Sequence, residues 1–117
     1  MKSSKNAVEK REHIILLTNA FNAARKATEA YLKQYPDQWY PCGFAWVNID
    51  GKSPIVKVLK ENFGRLAGHK GHPKGWEVWN PSGDPTQCMD AKMAGAQAFA
   101  RVLSAAGHKC YADCRMD

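Results

Sequence analysis

No run of apolar residues in the 117-residue chain approaches the roughly 20 needed to cross a bilayer, and the longest candidate, Ile14 to Leu17, sits inside a helical pattern. The charged start Met1-Lys2-Ser3-Ser4-Lys5 is not followed by an apolar stretch with a small-residue cleavage site, so neither a membrane span nor a secretory signal is expected. Internal repeats and low-complexity segments are also missing, which excludes solenoids and fibrous arrays. The four cysteines, Cys42, Cys88, Cys110 and Cys114, lack the paired C-x-x-C or Cys/His spacing of a zinc site. No metal and no cofactor is therefore expected, and without a secretion signal the thiols are expected to be reduced in a cytoplasmic protein.

What remains is an ordinary globular composition, 44% hydrophobic and 24% charged, at a length suited to a single domain over residues 1–117. Seventeen Lys and Arg against 11 Asp and Glu give a net charge of +6, which favours encounter with anionic partners but also lies in the range that merely keeps proteins soluble.

Ile14, Leu17, Phe21, Ala24, Thr28, Tyr31 and Tyr35 recur at steps of three and four, predicting an amphipathic helix over 6–35 with Asn6 and Glu9 as its capping box and Pro36 as its stop. Cys42 to Ile49, aromatic and β-branched and closed by Asp50-Gly51, predicts a strand. Ser53-Pro54 signals the start of a short helix with Ile55, Val58, Leu59 and Phe63 on one stripe and Gly64 as its end. Residues 65–75 are too rich in glycine and basic side chains for a regular element and read as a loop; Trp76 to Asn80 reads as a second strand. Asp84 is the expected cap of a helix running to about Ala106, before a last strand from Lys109 to Arg115. The fold class is thus α+β in the order α-β-α-β-α-β, with three helices packed on one face of a small three-stranded sheet.

Side chains alternate along a strand, so Cys110, Ala112 and Cys114 part from Tyr111, Asp113 and Arg115, and the small set suits the helix-covered side. Phe44, Trp46 and Asn48 are expected on the uncovered side and Ala45, Val47 and Ile49 beneath the helices. The second strand adds either Glu77 with Trp79 or Trp76 with Val78 to the uncovered side. Rings that stack on bases beside a guanidinium that grips phosphate suit a flat anionic ligand. Equally, such a face can close a homodimer or lie beneath the loop.

The loop Gly68 to Gly75 is a second candidate, because its glycines let backbone amides approach a phosphate that Lys70 and Lys74 would neutralise. It lacks the Walker spacing, and His69 and His72 have no assignable nucleophile or carboxylate partner. Cys42, between Pro41 and Gly43, would need a histidine to become a nucleophile. The candidate binding set is Trp46, Asn48, Lys70, His72, Lys74, Tyr111, Asp113 and Arg115.

Through Pro41-Cys42-Gly43-Phe44-Ala45-Trp46-Val47, the strand at Gly75-Trp76-Glu77-Val78-Trp79, Gln87 and the segment Cys114-Arg115-Met116-Asp117, the chain resembles small bacteriophage-encoded proteins of unassigned function over roughly residues 38–117. A Pro-Cys-Gly-Phe-Ala-Trp segment and a terminal Ser-Arg-x-Asp recur in those proteins; Cys114 stands here in place of that serine, which removes any hydroxyl role at the position. The resemblance implies a setting rather than an activity: a bacterial host cytoplasm, where a small phage protein meets replication, host machinery or defence signals. It points to a binder of nucleic acid or a nucleotide signal, then to an inhibitor docking on a host protein, and third to an enzyme acting on nucleotides.

Overall fold

The computed structural model describes residues 2–36, 41–64, 66–67 and 75–117, with side chains for all of these except 2–6 and 66–67. The chain runs α1 (Lys2–Gln34), β1 (Gly43–Asp50), α2 (Ile55–Val58), a π-helical turn (Leu59–Phe63), a two-residue strand β2 (Leu66–Ala67), β3 (Gly75–Trp79), α3 (Met89–Ala105) and β4 (Cys110–Met116). The three strands expected from the sequence form an antiparallel sheet in the order β3-β1-β4, and β2 adds a short edge beside β3. None of the described helices is long and apolar enough to cross a membrane.

The alternation of β1 decides how the layers stack. Gly43, Ala45, Val47 and Ile49 are buried, and the residues between them are only half-buried. The buried side chains join Val78 of β3, Leu17, Ala20 and Ala24 of α1, Ile55, Val58 and Leu59 of the α2 region, and Ala96, Phe99 and Leu103 of α3 in one core. All three helices therefore share one side of the sheet. α3 lies over β1 and β4, and α1 packs along α3.

That helix pair is held by a close approach. A Cβ built on Gly95 would stand 2.5 Å from the Thr28 hydroxyl oxygen and 3.0 Å from the Ala24 carbonyl oxygen, so only glycine fits. Beside it the buried Thr28 hydroxyl donates to the Ala91 carbonyl at 2.7 Å, which satisfies the one polar group that α1 sinks into the core.

Three local expectations are corrected. α1 begins at Lys2, because no glycine or proline interrupts residues 2–6, so Asn6 lies inside the helix and does not cap it. α3 starts at Met89 with Cys88 as N-cap, its sulfur accepting from the Ala91 N–H at 3.4 Å. Asp84 instead holds the preceding turn, accepting from the Thr86 N–H at 2.9 Å. Ser53 places no cap bond on α2, whose N-cap position is Pro54; its hydroxyl faces His108.

Candidate functional site on the open sheet face

With the helices on one side, alternation sends Phe44, Trp46, Asn48 and Asp50 of β1 to the other. The registers Trp46↔Trp79 and Asn48↔Glu77 put Trp79 and Glu77 beside them. Phe44↔Arg115, Trp46↔Asp113 and Asn48↔Tyr111 add the third strand. Of the two arrangements open for the second strand, Glu77 with Trp79 faces out, whereas Val78 is buried and Trp76 packs against the core.

The rings form a continuous strip. Trp46 and Trp79 stack with centroids 4.9 Å apart and planes inclined by 30°, and Phe44 meets Trp79 edge-on at 6.1 Å. Trp79 is 36% and Tyr111 45% exposed, so large apolar surface faces water with no helix above it. The Trp79 indole N–H donates to the Glu77 carboxylate at 3.0 Å, which restrains the ring on this face.

Charge is distributed unevenly along the strip. At the Phe44 end, Arg115 and Lys92 lie 5.7 and 5.3 Å from the ring centroid, and the Lys92 ammonium also donates to the Gly43 carbonyl at 2.9 Å. Towards the Asp50 end carboxylates outnumber cations: Asp113, Glu77 and Asp50 stand beside the neutral Asn48, and the described cations there are Lys109, whose carbonyl accepts from the Asp50 N–H, and Lys52. Asp113 turns to its own backbone, accepting from the Cys114 N–H at 2.8 Å. A phosphate fits the cationic end, a flat ring fits over the tryptophans, and Asn48 offers both a donor and an acceptor to a base edge.

Five of the expected site residues, Trp46, Asn48, Tyr111, Asp113 and Arg115, are brought together here. Lys70, His72 and Lys74 lie outside the described residues. Phe44, expected on this face, and Trp79, one of two alternatives for it, are not among the expected binding residues yet belong to the strip, and Lys92 is not expected from the sequence at all. Its one signal is a lysine one turn into an alanine-rich helix, which nothing in the sequence ties to Phe44, 48 positions earlier.

Among the described residues, the other chemistry-bearing groups do not assemble into a reactive centre. The exposed Cys42 thiol donates to the Gln87 side-chain oxygen at 3.6 Å, and among the described residues no histidine bonds to it. Burial pushes the Cys110 thiol up, against a weaker opposite pull from the Ser104 hydroxyl. Ser53 Oγ lies 3.1 Å from His108 Nδ1, and the His13 ring meets His108 edge-on at 5.7 Å. Burial first, and His13 second, hold the His108 imidazole below the ordinary histidine range. Among the described residues no carboxylate bonds to either ring, and no three His, Cys, Asp or Glu groups are placed to hold a metal. Comparison with known protein families, curated proteins and solved structures finds no match for the chain.

Proposed function

We propose that this protein is a small phage-type accessory protein that binds a phosphate-bearing ligand, single-stranded nucleic acid or a nucleotide signal, on the open face of its sheet. The observation that carries this reading is the stacked Trp46–Trp79 pair flanked by Arg115 and Lys92 at Phe44, on a face no helix covers. Bases stack on the indoles while the cations hold a phosphate, an arrangement that tolerates sequence because every base has a π-face. The resemblance of residues 38–117 to bacteriophage-encoded proteins supports a bacterial cytoplasmic setting.

The test is a titration of labelled single-stranded RNA, single-stranded DNA, duplex DNA and free nucleotides at several salt concentrations. Preference for single strands, with log affinity falling as log salt rises, is the expected result. Absence of binding at low salt, or equal affinity for duplex, overturns the reading.

One observation favours a second reading, docking onto a host protein as an inhibitor. Three carboxylates (Asp50, Glu77, Asp113) share this face with Arg115 and, just before β4, Lys109, a balance that disfavours a polyanion lying along its full length. Retention of a protein from nuclease-treated bacterial lysate, lost in Trp46→Ala, supports this second reading over the first.

A further inference from the structure

The outer edge of the sheet has a pattern of its own. Asp50 N–H donates to the Lys109 carbonyl and Asp117 N–H to the Cys42 carbonyl, each at 3.0 Å, so odd-numbered residues of β4 direct their backbone groups at β1. The even-numbered residues, Cys110, Ala112, Cys114 and Met116, direct theirs outward, where none of the described strands pairs with β4. Along this edge Met116 is 64% exposed, and an open groove of about 370 Å³ between α3 and β4 is lined by Met93, Gln97, Ala100, Arg101, Ser104 and Ala112. An unpaired strand of seven residues beside a groove of mixed apolar and polar lining is a template for another strand.

We infer that the occupant is a second copy of this chain, paired β4 to β4 antiparallel about a two-fold axis through Cys114. The outward-facing groups can pair only with each other, which limits the registers, and charge together with the number of strand residues paired chooses among them. An axis through Tyr111 also forms ion pairs, Asp113 with Lys109 of the second copy, but sets Cys114 and Met116 against His108 and Ala106, outside β4. An axis through Asp113 sets Asp113 directly against its own image, and one through Ala112 sets Lys109 against Arg115 of the second copy; like charges in such positions are destabilising. An axis through Cys114 sets Asp113 against Arg115 and Arg115 against Asp113, two ion pairs at non-hydrogen-bonded positions where side chains approach closely. On the helix side the same register lays the exposed Met116 over Ala112 of the second copy, at the groove.

The backbone accommodates this pairing by one exchange. The Cys114 N–H that Asp113 now accepts at 2.8 Å passes to the Cys114 carbonyl of the second copy, which frees the carboxylate for Arg115 across the seam. α3, lying over β1 and β4, meets its image two strand spacings away, about 10 Å, a distance at which helices pack. The two open faces then continue one another on the same side of an extended sheet. The pairing does not depend on the proposed ligand.

Sedimentation velocity of the full chain without ligand tests it. The mass should rise with concentration from 13.0 kDa towards twice that value. Arg115→Asp and Asp113→Arg should each weaken the dimer on the order of tenfold or more, and the double exchange should restore it. Oxidation with copper phenanthroline should link Cys42→Ser chains through Cys114 and leave chains carrying both Cys42→Ser and Cys114→Ser unlinked, because the paired Cα atoms would be about 5.5 Å apart. A monomer at every concentration, or a dimer that the charge exchange fails to restore, overturns the inference. So does a dimer weakened by Trp79→Ala but not by the charge reversals, which would place the seam on the open face.

Discussion

The two faces of the sheet are built from the same strands and differ in almost every physical respect. Beneath the helices the strands present Ala45, Val47, Ile49 and Val78, all nearly inaccessible to water, small or β-branched, and complementary in shape to Phe99 and Leu103. On the other side the same strands present Phe44, Trp46, Trp79 and Tyr111 with charged neighbours at the margin. The covered side has the residues that pack best, and the uncovered side carries the rings that stability alone would have placed inside. Apolar surface left in water costs stability, and this contrast is what the proposed ligand site rests on.

The largest way to break this contrast is from the covered side. Phe99 is fully buried and packs edge-on against Phe21 at 4.8 Å, so Phe99→Ala should destabilise by about 3–5 kcal/mol, read as a lowered denaturation midpoint.

A smaller effect comes from the histidine pair between α1 and the turn after α3. Because the folded pKa of His108 is lowered, the unfolded chain takes up a proton where the folded chain does not, and stability falls as pH drops below about 6.5 towards the lowered value. Above that window the contribution is fully present. Thermal unfolding between pH 8 and pH 5.5 should show the loss, and His13→Asn should make it shallower by removing one of its two causes.

The smallest stability change is expected on the open side. Tyr111→Ala removes an exposed ring and should leave the denaturation midpoint within about 0.5 kcal/mol of the parent, while weakening single-strand binding several-fold.

The division of the sheet was readable in advance because strand alternation is a local rule. Val-x-Ile on one side and Phe-x-Trp on the other leave only one way to bury the better-packing set, and Cys110, Ala112 and Cys114 repeat the choice in β4. The orientation of β3 was not readable, since Trp76-Glu77-Val78-Trp79 puts a tryptophan on each side. Only the Asn48↔Glu77 pairing settles it. The start of α3 was misplaced because Asp84 is a strong cap by residue type, whereas a cysteine sulfur accepting the Ala91 N–H is a weak signal. Lys92 over Phe44 and Ser53 against His108 join residues 48 and 55 positions apart, contacts that only the packing of α3 on the sheet creates. The two-residue strand β2 fell in a stretch whose composition reads as loop, and its pairing with β3 comes from tertiary contact, not propensity.

That ambiguous strand supplies the most direct test of the account. Trp76 and Trp79 are the same residue type three positions apart, one packed against the core beneath Lys60 and the other on the open strip. Single-strand affinity should fall on the order of tenfold or more in Trp79→Ala and stay near the parent value in Trp76→Ala, while the loss of stability follows the opposite order. Equal affinity losses in the two variants, or none in Trp79→Ala, would contradict the claim that the uncovered face is where the ligand binds.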